Sequence, residues 1–115
     1  MKTNPAPLPP DIDKAIAPLS TAVHSRTQLN GDKRIGIKDA QAEAELLVFY
    51  KGRALLEAFE IANYTSTLDA SVVGAVLTAL EAAEACFTID TASKAEVRER
   101  ISAIEAAREK ELVAV

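Results

Sequence analysis

Cysteine is almost missing from this chain. Cys86 stands alone, so no internal disulfide can form and no oxidising compartment is implied. Histidine is as scarce, with only His24, and one His with one Cys cannot make a zinc-ligand spacing. Tryptophan is absent, aromatic residues are 4% and glycines number four. All five prolines (Pro5, Pro7, Pro9, Pro10, Pro18) lie near the N-terminus, and the rest of the chain has none. These absences exclude collagen-like, disulfide-rich and Pro/Gly-rich β architectures. No uncharged apolar run is long enough for a membrane-spanning helix. The opening MKTNPAPLPP has no apolar run of the signal-peptide kind. The expectation is a cytoplasmic protein.

Alanine is abundant instead, at 22 of 115 residues, within a composition that is 49% hydrophobic and 26% charged. That length is one domain, which buries roughly two-thirds of its unfolded surface. The net charge of −4 is uneven: residues 1–39 carry +2, residues 40–90 carry −6, and residues 91–115 carry 0. A negative middle argues against phosphate backbones as partners of that region.

The spacing of apolar residues predicts a disordered Pro-rich tail over 1–10 and one helical domain over 11–115. Pro7-Leu8-Pro9-Pro10 is a weak match to a PxxP ligand. A first helix is expected over Asp11–Leu29, with Ile12, Ile16, Leu19 and Val23 on one stripe. Pro18 falls inside it and should either kink the helix or mark its true start. Residues 30–38, NGDKRIGIK, read as a loop. Asp39 is the expected N-cap of a second helix reaching about Asn63. That helix has two apolar stripes, Val48–Gly52–Leu55–Phe59–Ala62 and Leu47–Ala54–Ala58–Ile61, which together predict a wide buried arc packed on more than one partner.

Ser66 with Asp69 resembles a capping box for a third helix over about Thr67–Phe87, with Val72, Val73, Val76, Leu80, Ala83 and Phe87 inward. A buried strand at Val72–Leu77 is the lesser reading. Ser93 to Glu96 reads as the capping box of a fourth helix reaching about Leu112, whose thin stripe is Val97, Ile101, Ile104 and Leu112. Arg108 interrupts that stripe, and Glu96–Arg100 is ordered for an i,i+4 pair. Inner-face Ala and Gly are expected to let helices approach closely. The architecture predicted is all-α: a compact antiparallel bundle of three long helices, with a shorter or Pro-kinked N-terminal helix.

Chemistry finds few footholds. His24 has only Ser20 beside it on its own helix, and a general base needs a nucleophile or an orienting carboxylate. Cys86 sits at a helix C-terminus near Glu84, the reverse of what activates a thiolate. Gly31 and Gly36 flank Asp-Lys-Arg-Ile, which is no phosphate loop. Glu57-x-x-Glu60 and Glu81-x-x-Glu84 are two ExxE pairs, and the pattern resembles that of all-α nucleotide pyrophosphohydrolases, which implies Mg²⁺ held over a phosphate substrate. Folding the helices back about residue 65 separates Glu60 from Glu81 by roughly 16 Å along the axis, too far to share one ion. Glu81 and Glu84 should then face Glu45 and Phe49. A helix-turn-helix over 76–104 is disfavoured because its reading helix has as many acids as bases.

No catalytic, metal or cofactor site is therefore expected. The function expected is a non-catalytic protein-binding module, an adaptor, regulator or inhibitor. Its partner-binding candidates are Lys33, Arg34, Lys38, Tyr50 and Arg53, with Lys51 and Tyr64 as further polar handles. A modest core per residue suggests a homodimer, through Leu55 and Phe59 or through Val97, Ile101 and Ile104. Two alternatives stand: a nucleic-acid-associated regulator using Lys33, Arg34 and Lys38, and a small Mg²⁺-dependent hydrolase using the ExxE carboxylates.

Overall fold

The structure, a computed structural model, describes residues 8–65 and 68–113, with side chains given to residue 108 apart from Thr65. It holds four α-helices in chain order and, among the described residues, no strand: α1 (Pro10–Gln28), α2 (Ile37–Thr65), α3 (Ala70–Cys86) and α4 (Thr91–Val113). The fold is an all-α antiparallel bundle, 54 × 27 × 24 Å. α2, at 29 residues and roughly 43 Å, sets its long axis. One continuous core joins all four helices.

The N-terminal helix is not the short one, since α1 has 19 residues and α3 has 17. It lies along α2 and also packs on α3. Residues 1–7 of the expected tail lie outside the described residues. Leu8 packs against the core and Pro9 is the N-cap of α1. Pro10 opens the helix, where its missing N–H is no loss. Pro18 does not start the helix; α1 runs through it. Pro18 is exposed, while Ile12 before it and Leu19 after it are fully buried. Core packing on both sides offsets the roughly 3 kcal/mol that an interior proline costs.

The helix starts move. α2 begins at Ile37, two residues before the expected cap, and Asp39 lies in its first turn, where its charge suits the positive helix end. Asp69 is itself the N-cap of α3, accepting from the Ser71 N–H at 2.9 Å and the Ser71 hydroxyl at 2.7 Å. Ser66, the other half of the expected box, lies outside the described residues. Asp90, not Ser93, serves the start of α4: its carboxylate accepts from the Ser93 N–H at 3.0 Å and the Ser93 hydroxyl at 2.7 Å. A carboxylate three residues upstream reaches the free N–H groups that a Ser inside the first turn cannot. Both Asp69 and Asp90 are held below the ordinary aspartate value by these hydrogen bonds.

α3 is the helix against which the others gather, touching α1, α2 and α4. Val72, Val76, Leu77, Leu80, Ala83, Cys86 and Phe87 are buried at or along it, and Val72–Leu77 is helical rather than strand. Phe87 meets Phe49 of α2 edge-to-face, with ring centroids 6.4 Å apart. α4 packs on α3 through Val97 and Ile101. The expected Glu96–Arg100 pair does not form; Arg100 bonds Glu60 of α2 at 3.0 Å, and Arg98 bridges Glu84 and Glu105 at 3.4 and 2.6 Å.

The expected close approach at glycines is not found at Gly52 or Gly74: a methyl at either position would meet nothing within 4 Å. Gly52 lies inside α2, so Gly52→Ala should stabilise the protein by about 0.5–1 kcal/mol through helix propensity alone. Urea unfolding of the two chains would show the midpoint rising; a fall would mean that the space beside Gly52 is filled.

Candidate functional site

The charged group most deeply set in the molecule is one that the apolar spacing passes over. Ile12, Leu19 and Arg26 repeat every seven residues along α1, so Arg26 holds the next inward place; Glu45 holds the same kind of place ahead of Val48 on α2. Arg26 is 3% exposed and Glu45 1%. The Arg26 guanidinium donates to Glu45 Oε1 from Nε at 3.3 Å and from Nη2 at 3.1 Å, and Nη2 also donates to the Thr88 hydroxyl at 2.7 Å. Glu45 further accepts the backbone N–H groups of Thr88 (2.9 Å), Ile89 (3.1 Å) and Asp90 (3.1 Å). Three chain segments are thus tied at one carboxylate: α1, α2 and the turn that leads into α4.

Burial pushes the Glu45 carboxyl up, but the N–H groups of Thr88 and Asp90, the Arg26 guanidinium and the Ile89 N–H outweigh it and hold the group below its ordinary value of 4.5. Every one of these donors favours the ionised form. A depression of about 210 Å³ opens beside the pair, lined by Arg26, Cys86 and Thr88. But burial raises the Cys86 thiol above its ordinary value, the Thr88 hydroxyl is held by Arg26 and Glu45, and the Asp90 carboxylate is taken up by Ser93. It is a structural anchor.

The other candidates disperse. Ser20 and His24 line one shallow depression of about 260 Å³ between α1 and α3, with no hydrogen bond between them among the described residues. Cys86 is buried, and that burial raises its thiol above the ordinary value. Glu45 and Phe49 meet residues 87–90 rather than Glu81 and Glu84. The register is shifted because α2 runs on to Thr65 and α3 starts at Ala70, not Thr67, which moves the point of fold-back beyond residue 65. Glu60 and Glu84 are each bound to an arginine of α4, and no three His, Cys, Asp or Glu side chains converge as a metal set among the described residues.

Lys33, Arg34 and Lys38 do come together, around a concavity of about 460 Å³ at the start of α2. Asp32 shares it and clamps Arg34, with Arg34 Nη2 2.8 Å from Asp32 Oδ2. The Arg34 side-chain and backbone hydrogen bonds hold Asp32 below its ordinary value. Tyr50 and Arg53 are not part of this cluster; twelve residues of helix separate Lys38 from Tyr50, roughly 18 Å. Arg53 lies over the Phe49 ring, 5.7 Å from its centroid, a cation–π contact.

The residues expected to pair two copies do not face outward. Leu55, Phe59, Val97 and Ile101 are buried inside one chain and Ile104 is half-buried, because α2 and α4 turn those stripes onto the common core. Ile104 borders a groove of about 530 Å³ between α2, α3 and α4, with Leu56, Phe59 and Val73 in its wall. The second apolar stripe of α2, expected inside, lies mostly outside: Leu47 is 46% and Ile61 66% exposed, and Ala54 is exposed too. Tyr50 (56%) and Tyr64 (92%) lie on that same side. At 100° per residue these positions are half a turn from Val48, Gly52 and Leu55. α1 and α3 cover one side of α2 and leave an apolar line along the other.

No known protein family, curated protein or solved structure matches this chain. No helix among the described residues is long and apolar enough to cross a membrane.

Removing one partner of the buried pair leaves the other charge uncompensated. Glu45→Ala should destabilise the fold by about 3–5 kcal/mol, with Arg26→Ala similar, measured by urea unfolding near neutral pH. Because the folded Glu45 titrates below 4.5, its contribution is complete above that value and is lost as the pH falls through the folded one. Glu45→Gln should therefore flatten the acid limb of the stability–pH curve; an unchanged acid limb would show that Glu45 does not carry it.

Proposed function

We propose that this protein is a non-catalytic protein-binding module whose docking face is the outer side of α2. The observation that carries this reading is the line of exposed apolar side chains from Leu47 to Tyr64 on the helix face opposite the core. Side chains this large, aligned over roughly 25 Å of one rigid helix, offer the i, i+3, i+7 anchors by which a helix docks on another helix or in a groove. Tyr50 supplies an amphipathic anchor near the beginning of the face, with Arg53 held against Phe49 at its edge. Tyr and Arg are over-represented among the residues that dominate interface energies. An adaptor, regulator or inhibitor acts through such a face. A cytoplasmic setting belongs to the same proposal, supported by a lone and buried thiol.

Lys33, Arg34 and Lys38 support a second contact at the end of the same helix. Asp32 offsets part of their charge, which favours a protein partner over a nucleic-acid backbone.

The test compares the wild-type chain with the double variant Leu47→Asp/Ile61→Asp. Both positions are exposed, so the variant should keep its helical circular dichroism. A protein retained from the source cells is to be identified, purified and titrated against each chain. Loss of two apolar anchors should weaken that binding at least about a hundredfold; undiminished affinity would remove α2 from the interface. Retention on DNA or RNA that falls steeply with salt, and vanishes in Lys33→Glu/Arg34→Glu/Lys38→Glu, would establish the nucleic-acid reading instead. Thermal stabilisation by Mg²⁺ that is lost in Glu81→Ala would establish the hydrolase reading.

A further inference from the structure

A docking face on α2 needs an occupant. Resting on that reading of the face, we propose that the occupant is a second copy of this chain, paired antiparallel along α2 about a two-fold axis passing between Leu55 and Leu56.

Leu47, Tyr50, Ala54, Glu57, Ile61 and Tyr64 succeed one another at alternating steps of three and four residues, and all six are exposed. This is the heptad seam of two helices packed side by side. It runs unbroken for almost the whole length over which α2 is supported from behind by Val48, Gly52, Leu55 and Phe59, so the seam is presented on a rigid element.

The order of residue sizes and charges chooses the partner. Set antiparallel about its midpoint, the seam places Leu47 against Tyr64 of the second copy, Tyr50 against Ile61, and Ala54 against Glu57. Large apolar groups meet large apolar groups, and the small alanine leaves room for the glutamate. The same register brings Arg53 of each copy beside Glu57 of the other. Glu57 takes part in no ion pair among the described residues, and Arg53 has only the Phe49 ring. A parallel, in-register pair would stack Glu57 on Glu57, a like-charge contact in a low-dielectric seam. The charges therefore complement their own two-fold copy and oppose the parallel alternative.

Area sets the strength. Tyr50 and Tyr64, exposed as they are, leave roughly 300 Å² in water. With Leu47 and Ile61 the seam stays below the ~800 Å² per partner of a standard stable interface. The dimer is accordingly reversible, with a dissociation constant on the order of tens of micromolar.

Sedimentation equilibrium of the full chain from about 5 µM to about 500 µM tests this. The apparent mass should rise from one chain toward two, and Ile61→Glu, with unchanged circular dichroism, should remain a monomer throughout. Arg53→Glu and Glu57→Arg should each weaken pairing about tenfold or more. An equimolar mixture of the two should regain it, because each then presents the charge that the other lacks. A wild-type chain that stays monomeric, or a dimer indifferent to Ile61→Glu, overturns the proposal; a mixture that does not recover overturns the antiparallel register. If the wild type is monomeric while Leu47→Asp/Ile61→Asp still abolishes binding to a reconstituted partner, the self-pairing is wrong and the docking face stands. If the seam substitutions affect neither, both are wrong.

Discussion

A guanidinium and a carboxylate, both out of reach of water, meet where α1, α2 and the entry to α4 converge. Neither could be buried alone: the desolvation of a lone charge costs several kcal/mol. Arg26 and Glu45 must therefore be brought together whenever either helix takes its place, and Glu45 must also find the N–H groups of Thr88, Ile89 and Asp90. No buried side-chain donor or acceptor among the described residues is left without a partner. The buried core is mainly Leu, Val and Ile, with Ala22 and Ala83 its only alanines among the described residues. Aliphatic contacts are non-directional, so they favour one helix register over its neighbours less sharply than a paired charge does. The buried pair provides what the apolar packing lacks, a contact that is good in one alignment and costly in its neighbours.

That alignment decides which side of α2 is covered. Once Glu45 and the stripe behind it are turned inward, the face carrying Leu47, Tyr50, Ile61 and Tyr64 has to point outward. The proposed docking surface and the structural anchor are two sides of one helix. The proposed role as a protein-binding module depends on this division, because a face held rigid from behind loses little conformational entropy on docking.

Much of the fold is legible in the sequence. The apolar spacing of Ile12–Leu19 and of Val72–Val76–Leu80 identifies α1 and α3, and the breaks expected at 30–38 and 88–92 identify their ends, the second being shorter in the structure because α4 starts at Thr91. The starts of α3 and α4 are not legible to the residue, because Asp, Ser and Thr crowd together there and local chemistry alone does not say which of them caps. Arg26 and Glu45 could have been found: each is a charge sitting in an otherwise apolar stripe, a pattern that calls for a buried partner. Arg108 interrupts a stripe in the same way and yet is exposed, so the signal is ambiguous without knowing what lies opposite. The outward face of α2 is not legible either, because apolar residues on two sides of a helix look the same whether both are covered by this chain or one awaits another.

The attachment of α4 has a dynamic consequence. It rests on α3 through a thin apolar seam, reaches α2 by the Arg100–Glu60 bridge, and is fastened at its beginning by the peptide groups that Glu45 holds. A helix anchored at one end and lightly packed beyond it frays progressively toward its other end, at free energies below that of global unfolding. Its amide protons should thus exchange in a gradient, slowest beside Asp90 and faster along the helix. Each such opening would briefly bare Phe59 and Val73, making the last helix the hinge through which this bundle breathes.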